Sequence, residues 1–209
     1  MTSKIPFEGR IISVQPRIRL LRSFDQRSHG YLGYVLQIGG TMGMEKRRFH
    51  LAVGKATHAK HKFQVGQKIK GACEPVADPR QETAEFYKAG NLETINELGD
   101  LNFKTPPWLG VPQDLQVYRE RGHRRLSSHT YEKYCTSCIW GCWMPVEMII
   151  DQWNPNVKQY RQETFCYGPK SCSVYEAGPI RKVPGRKGMV WEEEDWVDEE
   201  ETSHRGPDD

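Results

Sequence analysis

Between residues 5 and 75 apolar side chains recur at alternate positions, in short runs separated by turn residues. Ile12, Val14, Ile18 and Leu20 share one parity while Arg17 and Arg19 take the other, which is the alternation of a half-buried strand. Pro16 inside that run predicts a bend or an edge position, because proline offers no amide to a ladder. After a turn over residues 24–30, Leu32, Tyr34, Leu36 and Ile38 fall on one face and Tyr31 on the other. Glycines 39, 40 and 43 make a flexible connection. Phe49, Leu51 and Val53 then point inward, with Arg48 and His50 outward. Residues 54–62 read as a short helix or a loop. Residues 63–76 return as a strand marked by Val65, Ile69 and Ala72, with Gly66 at a turn and Cys73 as a small buried hydrophobe.

Past residue 76 the pattern changes. Residues 79–99 have helical spacing and end at Gly99, which suits a helix C-cap. Residues 104–112 hold three prolines and a glycine and read as a loop. Residues 112–134 are polar and helical in part, carry Arg119, Arg121, Arg124 and Arg125 as a basic patch, and are interrupted by Gly122. The whole of 77–134 is read as a helical connector. Two strand-like runs then flank Asn154, Pro155 and Asn156, predicting a hairpin. Residues 191–209 are acidic, show no packing period after Trp196 and read as a disordered tail. The alternative is that its two tryptophans and its acid dock on the basic barrel.

The N-terminal pattern resembles the OB fold: a long bent first strand, a hairpin, a short helical connection, and a returning strand led by Val65-Gly66-x-x-Ile69-x-Gly71. An SH3-like barrel fits the same spacing. The expected class is mainly β with some helix (α+β). It comprises a basic OB-like barrel over 1–76, the connector, a cysteine-bearing unit over 135–190 and the acidic tail. The OB resemblance implies binding of single-stranded nucleic acid.

Charge strengthens that implication. The net +3 conceals 14 Lys and Arg against 3 Asp and Glu in residues 1–73, and 1 against 10 in residues 191–209. A segment at +11 calls for a polyanionic partner. The cations offered are Arg17, Arg19, Lys46, Arg48, His50, Lys55, Lys60 and Lys62, with Tyr31 as the aromatic face for a base. A bulge in either strand would flip these assignments.

Five cysteines cluster as C-x2-C-x3-C and C-x5-C: Cys135, Cys138, Cys142, Cys166 and Cys172. No apolar run approaches the roughly 18 residues of a membrane span, and the first residues lack a secretory signal. The expected compartment is therefore the reducing cytoplasm, where such thiols hold metal in preference to forming disulfides. Cysteine pairs at both ends of a hairpin resemble a zinc ribbon. That resemblance implies zinc on Cys135, Cys138, Cys166 and Cys172, with the C-x5-C pair and the extra Cys142 as departures from the ribbon pattern. A 4Fe–4S cluster is the alternative cofactor and would make Cys142 a candidate ligand. Trp140, Trp143, Phe165 and Tyr167 stand beside the thiols in sequence, and His129 is a further conceivable ligand.

The chain contains no P-loop, G-x-G-x-x-G, H-E-x-x-H or G-x-S-x-G. The first expectation is a non-enzymatic nucleic-acid-binding protein with a structural metal. The others are an iron–sulfur redox protein or accessory subunit of a redox enzyme, and an adaptor whose acidic tail binds protein partners.

Overall fold

The computed structural model describes residues 4–95 and 104–207. Strands β1 (Ile5–Ser23), β2 (Gln26–Met42) and β3 (Glu45–Val53) form an antiparallel meander. Helix α1 (Lys55–His61) leads to β4 (Lys68–Pro75), which pairs antiparallel with the first residues of β1. Strand β5 (Phe86–Ile95) lies antiparallel to β4 and touches β3 in parallel at Leu51 and Phe86, so five strands make a partly closed ring.

The second half builds onto the same sheet. Helix α2 (Leu115–Arg121), the short strand β6 (Arg124–Arg125) and α3 (Ser128–Thr130) precede a wide helical turn over Tyr131–Cys135. The hairpin of β7 (Gly141–Ile149) and β8 (Lys158–Cys166) follows, closed over the Asn154, Pro155 and Asn156 turn. Residues 146–149 of β7 pair in parallel with residues 20–23 of β1. Strand β1 thus belongs to the ring at one end and to the hairpin at the other. A two-stranded ribbon of β9 (Arg181–Pro184) and β10 (Val190–Glu193) and a final helix α4 (Asp195–Thr202) complete the described chain. None of the described helices is long and apolar enough to cross a membrane.

The core is continuous. Phe7, Ile11, Val14, Ile18 and Leu20 of β1 pack with Leu36 and Ile38 of β2 and with Phe49 and Leu51 of β3, and then with Met144, Val146 and Met148 of the hairpin. Each fully buried aliphatic or aromatic side chain contributes about 1.5–3 kcal/mol. Phe49 meets Phe7 and Phe86 edge to face at centroid distances of 5.8 and 6.0 Å.

Two bulges set which residues face this core. Ile11 pairs with Ile38 and Ser13 with Gln37, leaving Ile12 as an extra residue; Arg17 pairs with Gly33 and Ile18 with Tyr31, leaving Leu32 extra. The inward parity of β1 therefore passes from Phe7 and Ile11 to Val14, Ile18 and Leu20, and Leu32 is expelled to the surface instead of entering the core. Gly33 sits in the second bulge at φ +148°, and a side chain there would collide with the Val53 carbonyl.

Two expectations are corrected. The segment expected to be helical over 79–99 is a short 3-10 turn at Pro79–Gln81 followed by β5, as far as residue 95; its last residues lie outside the described ones. Pairing with β4, from Pro75 opposite Phe86 to Lys68 opposite Ile95, outweighs the helical spacing of a short segment. The ring consequently extends to residue 95 and not to 76. Within the acidic tail the described residues through 207 form β10 and α4, with Glu193 and Asp198 buried against arginines and the exposed Asp195 paired with Arg125.

Candidate functional site

The parity change at Ile12 turns Ser13, Gln15, Arg17 and Arg19 away from the ring core, Gln15 toward the Cys135–Cys138 turn of the second half and the two arginines toward Glu82. Between this outer face and the hairpin lies a cleft of about 700 Å³, floored by Ser13, Gln15, Gln37 and His50 and walled by Tyr131, Trp143, Arg161 and Arg181. Trp143 points into it because its parity on β7 is opposite to that of Cys142 and Met144, and it remains 38% exposed.

Polar groups in the cleft are partly unspent. Thr83 is only 6% exposed and its hydroxyl finds no partner among the described residues. Arg161 gives Nε to Glu163 and Nη1 to the Lys182 carbonyl at 2.6 Å, while its buried Nη2 has no partner among the described residues. Leaving such a group unpaired costs about 1–3 kcal/mol, which a bound acceptor would recover. His50 lies 3.3 Å from Gln37 Nε2, and burial lowers its pKa, so the ring faces the cleft uncharged at neutral pH.

The cations expected to grip a polyanion separate into groups. Arg17 is bound by both nitrogens to Glu82, and Arg19 Nη2 reaches the same carboxylate at 3.1 Å. Lys46 and Arg48 are exposed on β3 with the parity of His50, and so make a row leading away from the cleft. Lys55, Lys60 and Lys62 are exposed on and just after α1; Lys55 lines a separate cavity of about 380 Å³ with Tyr34 and Arg119. Tyr31 also lines that cavity. The Leu32 bulge turns it toward the core, Arg119 stands 4.9 Å above its ring, and burial pushes its hydroxyl up to about 12. Tyr31 is therefore not the open stacking face expected on the outer side of β2. The partly exposed aromatic lining the cleft is Trp143 of β7, and the sequence signal for it is its alternation against Met144, Val146 and Met148.

The acidic tail removes other cations from the surface. Glu193 binds Arg22 and Arg27, Glu201 binds Arg27 at 2.7 Å, and Asp195 and Asp198 bind Arg125.

The thiols separate as well. Cys135, Cys138 and Cys166 are buried together with Leu126 under Trp108, Tyr131, Trp140 and Tyr175. Cys172 is half-buried and close enough to raise the thiol pKa of Cys135 and Cys166. Cys142 instead lies in the main core against the Pro16 carbonyl, with Phe165 and Tyr167 beside it in that core. His129 is exposed. The Gly168 amide donates to Cys166 Sγ at 3.4 Å, and the Gly141 amide donates to the Cys138 carbonyl at 3.1 Å. Burial pushes Cys135, Cys138 and Cys142 up to about 12, so all three are neutral thiols unless a cation displaces their protons. Among the described residues no three His, Cys, Asp or Glu side chains stand at metal-binding spacing. Three of these thiols share one apolar cluster with the half-buried Cys172 nearby, a donor set whose chemistry is that of zinc but whose spacing among the described residues forms no metal site. Cys73 is buried beside the Ile5 carbonyl, and burial raises its thiol to about 11, which is the opposite of an activated nucleophile.

One side chain joins the two places. Gln15 Nε2 donates to the carbonyls of Cys135 at 2.8 Å and Cys138 at 3.0 Å, and its Oε1 accepts from the Tyr131 hydroxyl at 2.6 Å.

Comparison with protein-family models, with curated proteins and with solved structures gives no match to this chain.

Proposed function

We propose that this chain is a non-enzymatic protein that binds single-stranded nucleic acid in the cleft between the outer face of β1–β3 and the β7–β8 hairpin. The observation that carries the proposal is Trp143, a partly exposed indole inside a cleft that also presents Arg161, the amides of Gln37 and Gln162, and the unpaired Thr83 hydroxyl. Single strands are held by an aromatic face for a base and by cations along the backbone, and this cleft supplies the first with the Lys46 and Arg48 row supplying the second. Further support comes from the ring order β1-β2-β3-β5-β4 with α1 between β3 and β4. That is the arrangement of an OB fold, whose oligonucleotides cross the face made by strands two and three. The second half takes the role of a zinc-ribbon-like clasp, with a structural zinc on Cys135, Cys138, Cys166 and Cys172.

The test is a fluorescence-anisotropy titration of short single-stranded DNA and RNA, with duplex DNA as control, at salt from about 50 to about 200 mM. The expected outcome is single-strand binding that weakens with salt. Trp143→Ala should weaken it by about 1–3 kcal/mol, the usual range for one stacked base. Arg48→Ala should lower the salt slope by about 1. Absence of single-strand binding at the lowest salt, or full affinity in Trp143→Ala, refutes the proposal. The DNA and RNA arms decide between the two polymers.

A further inference from the structure

Most polar side chains of the cleft are already engaged with one another. Gln15 holds the Cys135 and Cys138 carbonyls and accepts from the Tyr131 hydroxyl, and Glu163 is shared by Arg161 and Arg181. Arg181 gives its other terminal nitrogen to the Thr164 carbonyl at 2.8 Å. What stays open is Arg161 Nη2, the Thr83 hydroxyl and part of Gln37. Arg161 Nη2 only donates, and no described residue accepts from it. The Thr83 hydroxyl, on a residue 6% exposed, donates or accepts. His50 Nδ1 lies 3.6 Å from the Glu85 carboxylate, which favours the tautomer with the proton on Nδ1. His50 Nε2 then accepts from the Gln37 amide nitrogen at 3.3 Å, and the Gln37 carbonyl oxygen is left as an acceptor. Trp143 adds a flat apolar face, with Val35, Leu126 and Ile180 also lining the space. At about 700 Å³ the cleft has the size of a small-molecule site. Because Glu163 already meets the charge of Arg161, the complement of this set is a flat, uncharged molecule with a carbonyl oxygen for Arg161 and an N–H for Gln37.

From this we infer that the cleft is a pocket for one nucleobase of the lactam class (guanine, hypoxanthine, uracil or thymine), in which a ring carbonyl stands beside a ring N–H. The carbonyl accepts from Arg161 Nη2 and the N–H donates to the Gln37 oxygen, while the Thr83 hydroxyl serves either kind of neighbouring edge group. Adenine and cytosine reverse that edge: an amino group takes the place of the carbonyl, beside a bare ring nitrogen. Donor then faces donor at Arg161 and acceptor faces acceptor at Gln37, and both protein groups stay unpaired. Trp143 stacks on all bases alike, because each has a π face, so selection comes from the edge and not from the indole. The pocket itself stands on these open groups; that a single strand delivers the base to it rests on the proposed function.

The experiment titrates the full chain with free inosine, adenosine, uridine and cytidine up to about 10 mM, followed by NMR, because single nucleosides bind in the millimolar range at best. Inosine and adenosine, like uridine and cytidine, differ only in the edge that Arg161 and Gln37 read. Inosine should bind about tenfold more tightly than adenosine, and uridine about tenfold more tightly than cytidine. Fluorescence anisotropy then compares an oligoadenylate strand with the same strand carrying one central inosine, which should bind more tightly by a similar factor. Arg161→Met and Gln37→Leu should each bring the inosine-to-adenosine ratio close to one, and Gln37→Leu serves if the Arg161 variant does not fold. Trp143→Ala should weaken all four nucleosides alike. Absence of nucleoside binding at the highest concentration, equal affinities, a preference for adenosine, or a ratio that neither edge variant alters overturns the inference. Strand binding indifferent to the inosine overturns the inference and leaves the proposed function standing; a nucleoside preference without strand binding upholds the pocket and overturns the proposed function.

Discussion

A buried histidine and a half-buried one beside it should make this protein lose stability on mild acidification. The rings of His29 and His123 lie 4.6 Å apart between centroids, tilted by 54°, and the Nε2 atom of each is buried with no partner among the described residues. His123 is 2% exposed, edge-on to Phe165. Burial is the chief cause that lowers both, with Arg27 and Arg22 adding to it and Glu193 opposing it at His29; His29 falls to about 4 and His123 well below 6.5. The unfolded chain returns each ring to about 6.5. Between those values the unfolded state binds protons that the folded state refuses, so stability rises with pH through the window and is lost as pH falls from about 6.5 toward 4. At about 1.36 kcal/mol per pKa unit, a step from about pH 7 to about pH 5 costs about 2 kcal/mol through His29 alone, and His123 adds in the same direction. His50 and His58, both lowered by burial, contribute the same sign, so variants are needed to isolate the pair. Urea unfolding followed by tryptophan fluorescence at both pH values, for wild type, His29→Gln and His123→Phe, measures it. Each variant should lose less stability across the step than wild type, by about 2 kcal/mol for His29→Gln. A wild-type stability that is flat between the two pH values, or variants whose loss matches wild type, refutes the burial argument.

Two further outcomes follow from the same structure. Arg125 is 1% exposed and binds Asp198, Asp195 and the Glu193 carbonyl, so Arg125→Met strands a buried carboxylate and should destabilise the chain by about 3–5 kcal/mol in urea unfolding, most of it through Asp198 because Asp195 is exposed. For the zinc put forward under the proposed function, Cys142 lies away from the other thiols, so Cys142→Ala should take up as much added zinc as wild type, whereas Cys138→Ala should take up none; equal loss in both would place Cys142 among the ligands, and no uptake by wild type would remove the zinc itself.

What alternates locally could be read from the chain. Phe49, Leu51 and Val53 point inward as their parity dictates, the β7–β8 hairpin closes at Asn154, Pro155 and Asn156, and Gly122, at φ +68°, ends a short helix as its interruption of the polar run suggested. These features depend on side-chain period and turn chemistry within a few residues. The mostly β character of the chain follows from them.

Other features were decided only by contacts far apart in sequence. Residues 86–95 satisfy a helical spacing well enough, and the open edges of β4 and β3 determine that they form a strand. An extra residue at Leu32 leaves Tyr34, Leu36 and Ile38 inward but puts Tyr31, on its N-terminal side, out of step with them and toward the core, and a bulge becomes visible only when both strands are paired. The acidic tail reads as solvated because its partners, Arg22 and Arg125, lie 171 and 73 residues from Glu193 and Asp198. The cleft itself is assembled from two halves of the chain, and the amide that joins it to the thiols spans 120 residues from Gln15 to Cys135. By itself, then, the sequence determined the strands, the hairpin, the charge gradient and the supply of thiols, because each is a property of neighbouring residues. Tertiary structure alone decided which cations remain free, which aromatic faces the cleft and which thiols meet, because burial and ion pairing are settled between segments that the chain brings together only when it folds.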